Sequence, residues 1–308
     1  MTPTESDVVS GQWETLRIEL RGTIAVVCLS RPASMNAFTM RMADELESFF
    51  RRVNDDHLVS GIVVTGDGRA FCAGMDLTIE GNVFGLDESL RPGLSDLVPP
   101  YAEEIQRGVR DPGGRVTLAI FDCLKPVVAA INGAAVGIGA TMTLAMDARL
   151  ASESARIGFV FGRIGITPEA CSTWFLPRIV GLPTATRLLL SADILDAESA
   201  LAAGVVDRVV PARDLVDAAV ELLGAWIDGR SPVAIALTRQ MLLRNSALGS
   251  PYLAHALDSL AMFYTSVADG REGVAAFLEK RPARFVTSLP DDLPPFFGEW
   301  VGSMAPPG

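Results

Sequence analysis

Stretches of strand period and helix period alternate through the first two-thirds of the chain, and helix-period stretches dominate the last third. Residues 16–20 and 23–30 predict two strands joined at Arg21-Gly22, an opening hairpin. Helical spacing follows from 40 to about 53, then a short apolar strand over 61–65 that ends in GDGRAFCAGMDL. From 78 to 114 the composition shifts to Gly, Pro and acidic residues, which predicts a mobile loop or lid before a helix leading to Lys125-Pro126. A strand is expected at 148–152 and an edge-like element at 155–165. Beyond Leu176 the spacing predicts helices over 186–190, 197–203, 215–227, 232–247, 252–267 and 271–279. Strands alternating with helices imply parallel βαβ units in a layered α/β core. No internal repeat is evident.

The run from Pro126 to Met146, PVVAAINGAAVGIGATMTLAM, carries no charge, and its length alone fits a membrane span. Pro126, Asn132, Gly133, Gly137 and Gly139 would interrupt such a helix, and no basic flank accompanies it. The residues read better as a β-branched strand (127–131), an Asn132-Gly133 turn and a glycine-spaced helix entry at Gly137 and Gly139. A strand, turn and helix start in this order can aim main-chain N–H groups at an anionic oxygen.

Composition narrows the function classes. At 308 residues and 49% hydrophobic, the chain can bury a large core. Its net charge of -11 argues against nucleic acid as a partner, and an anionic cofactor would need local positive groups of its own. Cys28, Cys72, Cys123 and Cys171 are widely and irregularly spaced with no CxxC, so neither a metal site nor a disulfide framework is expected, and a reducing cytoplasm fits. The acidic start, MTPTESDVVSGQWE, lacks the features of a signal or transit peptide and reads as a loose leader. His57 and His255 have no carboxylate pattern around them, and HExxH, GxSxG and GxxxxGK[ST] are all absent. GIGATM starts like a dinucleotide fingerprint but lacks its third glycine.

Two glycine-bearing turns remain, FCAGMDL and GAAVGIGATM. Together with LSRPASMNAF, FLPRIVG, SADILDAESALAAGVVDRVVP and SPVAIALTRQMLLR they resemble the crotonase (enoyl-CoA hydratase/isomerase) superfamily over residues 15–285. The resemblance implies an α/β fold, a crotonase-like (ClpP-like) spiral of ββα units over 15–210. It also implies a C-terminal helical trimerisation region over 211–285, between a flexible leader (1–14) and a tail (286–308). Two main-chain amides would hold the thioester oxygen of an acyl-CoA: those of Met75 and of Ile138, which lies between Gly137 and Gly139. Ala73, Gly74, Asp76, Gly137 and Arg31 form the implied contact set for coenzyme A, which would enter as part of the substrate, with no tightly bound cofactor and no metal. Read from their residues alone, Asp76 and Asp147 cap or pair locally rather than act on substrate, and Arg31 is equally a solvated turn residue. Acyl-CoA or enoyl-CoA is the implied partner, in a cytoplasmic homotrimer or dimer of trimers active in fatty-acid or related acyl-CoA metabolism.

The chain departs from the two-glutamate hydratase pattern, because those positions are Thr141 and Phe161. One acid, Glu169 in GITPEACSTWFLPRIVG, resembles the single-acid Δ3,Δ2-enoyl-CoA isomerase-like branch. One carboxylate suffices there to move a proton from C2 to C4. With Thr167 as N-cap and Pro168 as the first helical residue, Glu169 is predicted in a first helical turn, where the dipole favours its ionised form. Burial among Phe161, Trp174 and Phe175 opposes that. Isomerisation, hydration with a water placed by another group, and silent acyl-CoA binding all stay open. Isomerisation asks least of the residues present.

Overall fold

The structure is a computed structural model that describes residues 6–303. The chain opens with β1 (Leu16–Arg21) and β2 (Ile24–Leu29), antiparallel across Gly22, whose φ of 64° suits glycine. It continues through α1 (Met40–Arg52), β3 (Gly61–Gly66), β4 (Ala70–Cys72), α2 (Glu103–Gly108), α3 (Pro112–Asp122), β5 (Val127–Ile131), β6 (Ala134–Val136) and α4 (Ile138–Thr141). Then come β7 (Ala148–Ser152), β8 (Arg156–Gly158), α5 (Ser172–Val180), α6 (Leu182–Ser191), β9 (Ile194–Asp196), α7 (Ala197–Ala202) and β10 (Arg208–Val210). Five helices close the chain: α8 (Leu215–Ile227), α9 (Pro232–Asn245), α10 (Pro251–Val267), α11 (Asp269–Glu279) and α12 (Phe296–Ser303).

The strands form two sheets, β1-β2-β3-β5-β7-β10 and β4-β6-β8-β9. In three successive units, β3-β4, β5-β6 and β7-β8, the chain runs through the larger sheet and within a few residues joins the smaller one. Both sheets are parallel along these strands, so each turn of the spiral lies beside the previous turn. The larger sheet is covered on both faces at its centre, where β2, β3 and β5 are buried along their whole length, whereas its first strand β1 alternates and is partly exposed. Ala25, Val27 and Leu29 of β2 enter the main core with α1, while Ile24 and Val26 face the other way, onto α8.

The uncharged run folds as β5, β6, α4 and a 3-10 turn, and among the described residues no helix is long and apolar enough to cross a membrane. From residue 6 the expected loose leader is instead packed. Val8 is buried, Ser6 donates to Asp56 at 2.6 Å, and the Glu14 N–H donates to the buried Glu45 at 2.8 Å. The expected tail contains α12, whose Trp300 is buried. Residues 1–5 and 304–308, the ends of the predicted leader and tail, lie outside the described residues. The 78–114 segment has loops, a 3-10 turn and α2, with α3 already begun at its end.

Helix α9 is stapled to the core by charge. The buried Arg239 donates to Asp147 at 2.8 Å and to the carbonyls of Ile120, Phe121 and Cys123 at the end of α3. Asp147 also accepts from the Val127 N–H at 2.7 Å, so this predicted local ion-pair partner fixes the entry to β5.

Candidate active site

Neighbouring parallel strands β4 and β6 pair Cys72 with Ala135. Three residues further on along each strand stand Met75 and Ile138. Their loops remain close: a Cβ at Gly74 would lie 3.1 Å from the Val136 carbonyl oxygen, and one at Gly137 would lie 4.0 Å from the Gly74 Cα. The residue before each expected donor is a glycine with positive φ, 100° at Gly74 and 55° at Gly137. Any other residue would be strained there. Phe38 bonds to the Gly74 carbonyl and the Asp76 N–H on either side of Met75, which turns the Met75 N–H away from Phe38. Ile138 is the first residue of α4, so its N–H has no partner within the helix. Among the described residues neither amide donates within the chain. Because α4 is a single turn, the direction of the individual N–H groups matters here more than a long helix dipole.

Both residues line a cavity of about 450 Å³, and Glu169 lines the same cavity. The glutamate is not in a helix. Ala170 and Cys171 follow it with φ of 53° and 54°, and α5 starts only at Ser172, so the predicted first-turn placement and its dipole stabilisation are corrected. Two consecutive non-glycine residues in the left-handed region cost about 1–2 kcal/mol each. The segment is held by the buried Ala170, whose N–H donates to Asp111 at 3.3 Å, and by Ser172, whose N–H donates to the Glu169 carbonyl at 3.0 Å.

Burial pushes the Glu169 carboxyl up to about 8; the Thr141 hydroxyl opposes this, and the charge of Asp111 and a hydrogen bond with it add to the rise. Thr141 donates to Glu169 Oε1 at 2.6 Å. The two positions that carry glutamates in the hydratase pattern thus serve the third acid: Thr141 grips its carboxyl, and the buried Phe161 contributes an apolar wall to its cavity. Phe159 is core, and Trp174 packs against Phe121 and Phe175 at centroid distances of 6.0 and 4.6 Å.

Of the implied coenzyme A contacts, Ala73, Gly74 and Gly137 line the cavity. Arg31 and Asp76 lie outside its lining and bind each other at 2.9 Å. Asp76 also accepts from Thr78, which together with Arg31 holds its carboxyl below the usual range.

Asp111, within the segment expected as a loop over 78–114, lines the cavity beside Glu169. It caps α3 by accepting from the Gly114 N–H, with Pro112 at the first helical position. Gly113 and Gly114 are poor helix formers, yet both leave space for an acid. A Cβ at Gly113 would collide with Glu169 Oε2 and Ile138 Cδ1, and one at Gly114 with the Asp111 carboxylate. The signal was present in DPGG, an acid before Pro at a helix start followed by two glycines.

Residues 19–288 match the family model described as Enoyl-CoA hydratase/isomerase. The chain belongs to the enoyl-CoA hydratase/isomerase family. It is 39% identical over 285 residues to an enoyl-CoA hydratase, ACTT3, of Alternaria alternata, covering 91% of this chain and 89% of that one. It is 30% identical to a short-chain-enoyl-CoA hydratase of Clostridium acetobutylicum, covering 86% of this chain and 94% of the relative. Among solved structures, Pseudomonas aeruginosa DspI superposes with a TM-score of 0.77 at 29% identity, covering 90% of this chain and 99% of DspI. The mixed α/β architecture with its helical C-terminal region matches that of such crotonase-fold neighbours, and the family assignment carries acyl-CoA chemistry with it. The names of these relatives give no support to the isomerase branch over the hydratases.

Proposed function

We propose that this enzyme hydrates 2-enoyl-CoA thioesters, with the Met75 and Ile138 N–H groups on the thioester oxygen and Glu169 as the proton-transfer group at C2. The observation that carries the reading is the meeting of two unpaired amides and a carboxyl of raised proton affinity around one cavity. Water adding at C3 drives negative charge onto the thioester oxygen, and preorganised N–H donors stabilise the resulting enolate by roughly 2.7–4 kcal/mol for each donor. The glycines before both donors let the thioester approach the backbone. The hydratase names of the relatives support hydration.

Coenzyme A enters as part of the substrate and no resident cofactor takes part. Arg31, oriented by Asp76, retains guanidinium donors for a coenzyme A phosphate. Exposed apolar side chains on α10 and α11, among them Phe263, Val274 and Phe277, support self-assembly, for which the resemblance implies a trimer or dimer of trimers.

Isomerisation of 3-enoyl-CoA is a second reading, favoured by Thr141 and Phe161 at the two hydratase glutamate positions. Incubation with 2-enoyl-CoA and 3-enoyl-CoA separates the two. Loss of conjugated enoyl absorbance from the first supports hydration, and gain of conjugation from the second supports isomerisation. Either activity is expected to vanish in Glu169→Gln, whereas turnover of neither substrate, or full activity in the variant, overturns the proposal.

A further inference from the structure

We infer that Asp111 is the second acid–base group of the hydration reaction, the residue that holds the attacking water and takes its proton while Glu169 protonates C2. The inference rests on the hydration reading above. It answers the question that the reading leaves open, since addition of water needs a group to accept a proton at one carbon and a group to supply one at the next.

The geometry singles out Asp111. It and Glu169 arrive from different elements, the start of α3 and the loop before α5, and line one cavity. The two acids are tied to one another through the backbone: Asp111 accepts from the N–H of Ala170, the residue after Glu169, at 3.3 Å, and a Cβ on Gly113, two residues after Asp111, would meet Glu169 Oε2. Burial first, and the charge of Asp111 in addition, hold the proton on Glu169. The glycines at 113 and 114 preserve the room that the two carboxyls occupy.

The step balances without a further reagent. One O–H bond of water breaks, its proton passes to the Asp111 carboxylate, and the oxygen bonds to C3. The π pair of C2=C3 moves toward the thioester oxygen, where the Met75 and Ile138 amides hold the charge. The enolate then collapses as C2 takes the proton of the Glu169 carboxylic acid. Asp111 now holds a proton and Glu169 is ionised; passage of that proton from Asp111 to Glu169 within the cavity they both line restores the starting pair.

Hydration through this pair needs a protonated Glu169, whereas isomerisation needs it ionised, so the two reactions depend on pH in opposite directions. Besides Asp111, the titratable groups facing Glu169 are Cys72 on β4 and Cys171 in its own loop, with Arg110 acting on Cys171. Burial pushes Cys72 up to about 12 and Cys171 upward, so neither thiol ionises in the range that matters.

The test is the pH profile of 2-enoyl-CoA hydration by the full-length protein and by Asp111→Asn, which keeps an oxygen for the Gly114 and Ala170 N–H groups. For the unaltered protein, kcat is expected to fall as pH rises through about 8. Asp111→Asn is expected to lose roughly 10²–10⁴-fold in kcat with KM little changed, and its residual activity to decline from a lower pH, because the neighbouring charge that raises Glu169 is gone. If the asparagine variant does not fold, Asp111→Ser retains a helix cap, and added formate is expected to restore part of its rate. Hydration in Asp111→Asn within threefold of the unaltered protein, a reduced rate with an unshifted pH limb, or no formate rescue of a folded Asp111→Ser would overturn the role of Asp111. Those results leave the hydration reading standing so long as Glu169→Gln is inactive; activity in Glu169→Gln overturns the reading itself.

Discussion

Replacing Glu169 with glutamine is expected to abolish activity and at the same time stabilise the protein, by an amount that grows with pH. In the folded chain burial keeps the Glu169 proton up to about 8, against 4.5 for an ordinary glutamate. Between those values the folded state binds more protons than the unfolded state, so stability falls as pH rises, and the loss is complete above about 8. The displacement corresponds to as much as about 5 kcal/mol. Relaxation of the ionised side chain and entry of water reduce it to an order of 2–5 kcal/mol. Glutamine has no proton to lose, its oxygen can accept from Thr141, and its NH₂ can donate to Asp111. The variant should therefore match or slightly trail the unaltered protein near pH 4.5 and exceed it by roughly 4–10 °C in Tm at pH 9, taking about 2 °C per kcal/mol for a chain of this length. Thermal and urea unfolding at pH 5, 7 and 9 read the difference directly, and groups that do not interact with Glu169 cancel in it. A gap between the two proteins that is constant across pH would refute the claim that Glu169 is held against its charge.

Other substitutions probe the supports of the site. Gly113→Ala puts a methyl group against the Glu169 carboxyl and Ile138 Cδ1. It is expected to lower kcat by about 10²-fold, the scale of a misplaced acid–base group, while circular dichroism shows a folded protein. Arg239→Met leaves the Asp147 carboxylate and the carbonyls at the end of α3 without their buried cation. A loss of about 3–5 kcal/mol is expected in urea unfolding, and a loss below about 1 kcal/mol would refute the staple. Phe277→Asp places a charge on the exposed apolar face of α11. Light scattering is expected to report several chains per particle for the unaltered protein and a shift toward the single-chain mass in the variant, whereas a monomeric unaltered protein would sink the assembly proposal.

Long elements with a strong period were readable from the sequence. The β5 strand over Val127–Ile131 and the α8 helix over Leu215–Ile227 stand where the hydrophobic spacing put them, and α1 ends one residue earlier than expected. Three of the four strands of the smaller sheet were not readable, because β4, β6 and β9 have three residues each and exist through their neighbours rather than through a local period; β8 falls within the edge-like element expected at 155–165. Residues 6–14 resembled a loose leader in composition, but their anchors are Asp56 and Glu45, acids tens of residues away in sequence that no local pattern displays. At the site, the glycine spacing around residues 74 and 137 pointed to the cavity, and Glu169 stands in its wall. The helical environment assigned to Glu169 failed because Ala170 and Cys171 turn left-handed, a conformation their side chains do not advertise. Asp111 was hidden for the opposite reason. Its Asp-Pro start was readable as a helix cap, but what faces it comes from 59 residues away.

The central claim is that two main-chain amides and one carboxyl make and quench a thioester enolate, whichever net reaction follows. Exchange of the C2 hydrogens of a saturated acyl-CoA in D₂O tests it without water addition or double-bond movement. Nuclear magnetic resonance is expected to show deuterium entering C2 with the unaltered protein and none above background with Glu169→Gln. No exchange by a protein that binds the acyl-CoA, or equal exchange in the glutamine variant, would contradict the account.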